Sequence, residues 1–348
     1  GGLAAADKSE LAGIVCDYFC RGYSPSQIAD LVREQYGLEM SRETPYKFLR
    51  YAATRKWLRY YPPEDGYLAR SLKERCRALE EAHVVHTALT KDVASHAAVV
   101  LMRMLRRYAG APSHKQEVHL GLGGGFSMRA LAEGLAERIR GNPEGLPKTI
   151  VFHALVAGFD LDTPYTDPNG FFTYFADPPA GVDVRFVALH APAIVMPEQL
   201  EGLLALPGIR EAHERVAEID VIVTSAGAIS DEHSMLSKYY SRFSRETLAR
   251  LHEDGCEGDL LWMPVGRGGP LDCSRYPHRA MTLVELSELP RMIRRGVKVL
   301  LALGPCNICA RCRFGVLNCL LGLKEPLITH LVVDTRTADA ILNRGAGA

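Results

Sequence analysis

Residues 117–131 read Glu117-Val118-His119-Leu120-Gly121-Leu122-Gly123-Gly124-Gly125-Phe126-Ser127-Met128-Arg129-Ala130-Leu131. The order is strand, glycine-rich turn, helix. Glycines let backbone N–H groups approach an anion, and the end of the helix that follows favours negative charge. Ser127 adds a hydroxyl. Gly123, Gly124, Gly125, Phe126 and Ser127 are therefore candidate effector ligands, although glycine turns also serve simply to pack a strand on a helix. Phe126 stands where Gly-x-Gly-x-x-Gly requires its last glycine, so the dinucleotide fingerprint is incomplete.

Outward from this stretch the chain alternates. Strand-like runs lie at 149–155, 182–188, 219–224, 297–303 and 329–333, with helical stretches at 94–108, 196–206, 208–218 and 245–252 between them. Alternation of this kind predicts an α/β fold with a doubly wound, mostly parallel sheet. Ligands then gather beyond the carboxyl ends of the strands. Gly121–Ser127, Gly158, Ser225–Gly227 and Cys306 each follow a strand and are expected on one rim.

The run at 297–303 stops at Gly304-Pro305, and four of the nine cysteines follow: Cys306, Cys309, Cys312 and Cys319. Cys-x2-Cys-x2-Cys lets one short loop aim three thiolates at one centre, as in ferredoxin-type sites, and Cys319 is near enough to be the fourth ligand of a [4Fe–4S] cluster. Arg311 and Arg313 would offset its charge. Two alternatives stay open. Structural zinc usually joins two separated Cys/His pairs, and cysteines at i, i+3 and i+6 also share a helix face in an ordinary core. Cys256 and Cys273 are reserve ligands; Cys16, Cys20 and Cys76 read as packing.

The first sixty residues are helical. Gly22 ends one helix. Ser24 then caps a second, with Pro25 at its first position and Gln27 at the capping-box place. Ser41 is expected to cap a third, Ser41-Arg42-Glu43-Thr44-Pro45-Tyr46-Lys47-Phe48-Leu49-Arg50, with Pro45 one turn inside it, removing a backbone bond. Helix, turn, helix with basic residues opening the last helix is the arrangement that enters a major groove. Arg42, Lys47, Arg50, Arg55, Lys56 and Arg59 stand against one acid, Glu43. Arg42, Thr44, Tyr46 and Lys47 would face base edges; Arg50 and Arg55 would touch phosphate. The bland alternative is a solvated helix face. Trp57, Leu58 and Tyr60 are expected to pack behind it.

The 348 residues carry zero net charge, so any affinity for double-stranded DNA must be local. No apolar run reaches the ~20 residues of a membrane helix, and no secretory signal opens the chain. Nine cysteines, odd in number and clustered, point to a reducing cytoplasm rather than a disulfide framework. Pro62-Pro63 closes the DNA-binding unit. The expected domains are 1–62, helix-turn-helix; 63–90, a linker or oligomerisation helix with its charged stretch at 68–86; and 91–348, an effector domain. His83 and His86 fall in that helix, with no third metal ligand in view.

The N-terminal segment resembles the DNA-binding region of SorC-family transcriptional regulators. The matching residues are Asp17-Tyr18-Phe19, Gly22-Tyr23-Ser24 with Gln27-Ile28-Ala29, and Ser41-Arg42-Glu43-Thr44. The remainder resembles the SorC effector domain, a relative of sugar-phosphate isomerases. Gly121-Leu-Gly-Gly-Gly matches the phosphate loop. Ala157-Gly158, Asn169 before Phe171-Phe172, Asp220-Val-Ile-Val before Ser225-Ala226-Gly227, Gly258-Asp259 and Asp334-Thr335 follow in the family's order. The resemblance implies an operator-binding homodimer or homotetramer with a small-molecule effector, and adds Asn169 to the effector residues. Where the family carries Gly-Gly-x-x-Lys, this chain has Gly304-Pro305-Cys306-Asn307-Ile308-Cys309. The expectation is a regulator in which an iron–sulfur cluster replaces phosphosugar sensing. The alternatives are a phosphosugar-responsive SorC regulator with idle cysteines, or an isomerase-like or cluster-dependent enzyme. Against the enzyme, Asp220, Asp259, His233 and His278 form no recognisable acid/base pair.

Overall fold

A computed structural model describes residues 8–55, 57–58, 61–110, 112–158 and 163–344, and the chain divides into two units, 1–61 and 62–348. Among the described residues the first holds three helices, α1 (Lys8–Cys20), α2 (Pro25–Tyr36) and α3 (Thr44–Thr54). Ser24 closes the expected capping box: its hydroxyl accepts the Gln27 N–H, and the Gln27 carboxamide oxygen accepts the Ser24 N–H at 2.9 Å. Val15, Ile28 and Val32 form a small buried core, with Phe48 and Leu49 of α3 packed against it. This core fixes α3 by its inner side.

Three expectations change here. The third helix begins at Thr44, with Glu43 at its cap and no side-chain capping bond. Ser41 instead closes a turn, its carbonyl accepting the Thr44 N–H at 3.0 Å and its hydroxyl meeting that of Thr44 at 2.9 Å. Pro45 therefore lies in the first turn, where its missing N–H would have had no helical partner, and it breaks nothing. Trp57 does not pack inward: it is 48% exposed, edge-on to Tyr51. Lys56, Arg59 and Tyr60 lie outside the described residues.

Among the described residues the second unit contains thirteen strands. They are β1 (Glu81–Val85), β2 (Glu117–Leu122), β3 (Thr149–Ala154), β4 (Asp183–Val187), β5 (Ile194–Val195), β6 (Val221–Thr224), β7 (Ala226–Ala228), β8 (Cys256–Leu260), β9 (Met263–Gly266), β10 (Gly269–Pro270), β11 (Arg279–Ala280), β12 (Lys298–Leu303) and β13 (His330–Asp334). Seven form one sheet in the order β1-β13-β12-β6-β2-β3-β4, every pairing parallel. The inner strands are apolar throughout because both faces are covered. Leu300 and Ala302 share one core with Leu101 and Leu135, while Val299, Leu301 and Leu303 share the other with Leu317 and Ile341.

Among the described residues eleven α-helices accompany them: α4 (Gly66–Arg75), α5 (Thr90–Ala109), α6 (Phe126–Gly141), α7 (Pro168–Phe171), α8 (Leu200–Leu204), α9 (Ile209–Glu214), α10 (Met235–Phe243), α11 (Arg245–Glu253), α12 (Leu289–Arg294), α13 (Phe314–Leu321) and α14 (Thr335–Arg344). Helices α5 and α6 supply Leu101 and Leu135 on one side of the sheet; α13 and α14 supply Leu317 and Ile341 on the other. The doubly wound architecture is as expected from the sequence.

The segment 63–90 is not a single linker helix. Asp65 caps α4 by accepting N–H groups from Tyr67 and Leu68, and α4 ends before Cys76. Glu81–Val85 then joins the sheet beside β13, with Val84 and Val85 fully buried. Burial at the sheet edge overrides the segment's polar, helix-like composition. His83 is consequently a strand residue, held between Glu64 (2.9 Å) and Glu81 (3.3 Å). Unforeseen as well is a four-stranded antiparallel sheet, β10-β9-β8-β7, set beyond the end of β6.

Candidate ligand crevice and its cysteine wall

From β2 the chain proceeds to β3 and β4 on one side; from β6 it proceeds to β12 and β13 on the other. The connections diverge where β2 and β6 lie side by side, which opens a crevice past their carboxyl ends. A cavity of about 220 Å³ lies there, walled by Gly124–Ser127 after β2, Thr224–Gly227 from the end of β6 into β7, Asp259 of β8, Trp262 of the β8–β9 turn, and Cys306–Ile308 with Arg313 after β12. Of the candidate effector residues, Gly124, Gly125, Phe126 and Ser127 line this cavity and Gly123 does not.

Each part of the wall is fixed locally. Gly123 shapes the turn from behind, its N–H donating to the Val223 carbonyl at 2.9 Å. A Cβ on Gly124 would run into the Trp262 ring. Gly125 has φ +107°, a conformation that favours glycine. Helix α6 starts immediately after it with no side-chain cap, so its first N–H groups and the positive end of its dipole remain for a ligand. Arg313 donates to the Ala226 carbonyl at 3.1 Å, and Ser225 Oγ and Arg313 Nε are buried with no hydrogen-bond partner among the described residues. Asp259 is wholly buried, and that burial lifts its carboxyl to about 7 against the pull of Arg313 and two backbone N–H groups.

Asn169 does not line this cavity. Its carboxamide clamps Leu189, accepting that residue's N–H at 2.9 Å and donating to its carbonyl at 3.0 Å, and also donates to Asp167. It is a clamp that holds α7 to the end of β4. Gly158 lines a separate cavity of about 540 Å³ with Asp167, Ala193 and Arg242.

The four cysteines separate. Cys319, on α13, is buried with its thiol donating to the Gly266 carbonyl at 2.9 Å. Cys312 donates to Thr337 Oγ1 at 3.2 Å, at the start of α14. Helix α13 carries Cys319 away from the loop into the core against β9, so four thiolates do not meet at one centre. Cys306 and Cys309 do stay together, and their neighbours are Asp231 and His233 from the loop after β7. The four donor atoms lie within 4.8 Å of one another. Asp231 Oδ1 is 3.1 Å from His233 Nδ1 and 3.8 Å from Cys309 Sγ, while its Oδ2 is buried and unpartnered among the described residues. Nothing in the sequence singled out Asp231, and His233 entered only as an acid/base candidate; the sole local signal is Asp-x-His.

In the first unit, Arg42, Tyr46, Lys47 and Arg50 are exposed and Thr44 half-buried. All five sit on or just before α3, whose Phe48 and Leu49 are the residues packed against Val15, Ile28 and Val32.

Comparison with solved structures finds this fold in transcriptional regulators. No family model matches the chain, and no curated protein is similar to it at a significant level. Among solved structures, the full-length sorbitol operon regulator SorC from Klebsiella pneumoniae is 17% identical over 97% of this chain and 99% of that one, with a TM-score of 0.65. A DeoR family transcriptional regulator from Listeria monocytogenes is 18% identical over 79% of this chain and 98% of that one, TM-score 0.59. A transcriptional regulator from Streptococcus pneumoniae TIGR4 is 14% identical over 80% and 97%, TM-score 0.61. At these identities the likeness is one of fold.

Proposed function

We propose that the chain is a DNA-binding transcriptional regulator whose switch-point crevice takes a small anionic effector, of the phosphorylated-sugar class. The observation that carries the reading is the uncapped start of α6 behind a glycine turn, facing a cavity that also holds Arg313. Those are the donors a phosphate group needs. The basic start of α3, exposed along Arg42, Lys47 and Arg50, supports DNA as the partner. The likeness to SorC over both units supports the same pairing of roles.

Selection of bound duplexes from a random DNA pool with the full-length protein tests the first half. One sequence family is expected to emerge, and Arg42→Ala with Lys47→Ala is expected to weaken binding to it and flatten its salt dependence, by about one unit of slope for each phosphate no longer neutralised. A protein that enriches nothing, or binds as well without these cations, contradicts the reading. For the second half, thermal shifts are expected with phosphorylated sugars and not with their unphosphorylated forms.

A second reading places an inorganic group at the crevice mouth. It is favoured by the convergence of Cys306 and Cys309 with Asp231 and His233.

A further inference from the structure

We propose that Asp231, His233, Cys306 and Cys309 form a mononuclear site for a divalent metal of the zinc class. The inference needs neither DNA binding nor an anionic effector.

The separations suit a tetrahedral ion. Zinc bonds of roughly 2.0–2.1 Å to nitrogen and oxygen and 2.3 Å to sulfur give tetrahedral edges of about 3.3–3.8 Å. The observed imidazole–carboxylate and thiol–carboxylate edges, 3.1 and 3.8 Å, fall within about 0.3 Å of the edges expected for those donor pairs. Two sulfurs, one nitrogen and one oxygen are donors that zinc accepts together, whereas a [4Fe–4S] cluster needs thiolates that here face elsewhere.

The loop is built to present the two sulfurs. Cys306 N–H bonds to the Arg311 carbonyl and the Ala310 N–H to the Cys306 carbonyl, both at 2.9 Å, closing residues 306–311 into a tight knuckle. Ala310 takes φ +54°, unusual for a residue with a Cβ, to complete it. Inside the knuckle, Cys306 Sγ accepts the N–H groups of Ile308 and Cys309, and Cys309 Sγ accepts that of Arg311. Backbone N–H groups aimed at sulfur orient and stabilise metal-bound thiolates. On the opposite side, the His233 N–H donates to Asp231 Oδ1 at 3.0 Å, which fixes the two ligands in one short turn. The independent pointer is Asp231 Oδ2: the residue is only 3% exposed, and this oxygen has no partner among the described residues. The Cys306 thiol and the His233 imidazole both turn towards this carboxylate, and a buried carboxylate crowded by two thiols and an imidazole is costly unless something cationic meets it.

Four protein ligands close the coordination shell, which is the mark of a structural rather than catalytic ion. The ion would tie the loop after β12 to the loop after β7. Cys306 and His233 also line the crevice, so the ion would set one wall of it.

The test is metal content and cobalt spectroscopy on full-length protein purified under reducing conditions. About one zinc per chain is expected. Cobalt substitution is expected to give the intense visible bands of a tetrahedral ion with a near-ultraviolet thiolate charge-transfer band. Cys309→Ser and His233→Ala, both at partly exposed positions, are expected to lower metal affinity at least tenfold with circular dichroism unchanged. Cys312→Ala and Cys319→Ala are expected to keep full stoichiometry. Octahedral cobalt without a thiolate band overturns the proposal. So does metal content indifferent to Cys309 and His233, or lost in Cys312→Ala, or iron with acid-labile sulfide in protein isolated without oxygen.

Discussion

Two single residues carry consequences that are easily measured. His153 is buried beside His119, its Nε2 2.9 Å from the neighbouring Nδ1, with its own Nδ1 unpartnered among the described residues. Burial, then repulsion from His119 and Arg215, drives its pKa from 6.5 down to about 3. A depressed folded value means that the unfolded chain takes up the proton first as the pH falls. Stability from His153 is therefore complete above about 6.5 and drains away towards 3, at about 1.4 kcal/mol per unit. Urea unfolding at pH 7 and pH 5 is expected to differ by about 2 kcal/mol from this residue, and His153→Gln to flatten the difference. Gly124 is the second case. Its Cβ space is filled by the Trp262 ring, so Gly124→Ala is expected to cost about 1–3 kcal/mol by overpacking and to weaken any ligand held in the crevice. The glycine turn was legible in the sequence because backbone conformation writes itself in residue type. The Asp231–His233–Cys306–Cys309 group was not, because the two pairs lie about 75 residues apart and meet only once the sheet exists.

Elements were legible in proportion to how continuously they are buried. Strands β2, β3, β6, β12 and β13 announce themselves as apolar runs because helices cover both sides. Strand β1 hid behind a charged composition, and β7 to β10 behind Ala-Gly-Ala, Cys-Glu-Gly-Asp-Leu, Met-Pro-Val-Gly and Gly-Pro, which read as loop. Among the N-terminal helices α2 was legible through its cap, whereas α3 starts at Thr44 without the cap expected of Ser41, and the Ser24 box gives a test. Ser24→Ala is expected to cost about 1 kcal/mol, confined to the first unit. The chain has two tryptophans, Trp57 in that unit and Trp262 in the crevice, so fluorescence can separate them. In a Trp262→Phe background the Trp57 transition is expected to move on Ser24→Ala; in a Trp57→Phe background the Trp262 transition is expected to stay.

At the scale of the whole molecule, two units with separate cores are expected to melt separately. Among the described residues the first has one small apolar cluster, centred on Val15, Ile28 and Val32, while the second has two extended cores on either side of a seven-stranded sheet. A unit of about sixty residues is marginal by size. Calorimetry is expected to show a small early transition followed by a larger one, with the early one alone moved by Ser24→Ala. Pro62-Pro63 falls where the units divide.

Strand β1 pairs with β13, Glu81 opposite His330, so a segment made early during translation waits for one made nearly 250 residues later. Until the ribosome has released β13, Val84 and Val85 have no sheet to join. The nascent α/β unit leaves its tunnel unfinished and with an open margin, the kind of surface that chaperones guard. Chains stalled just short of His330 are expected to be digested rapidly around Glu81–Val85, and chains stalled well beyond β13 to resist.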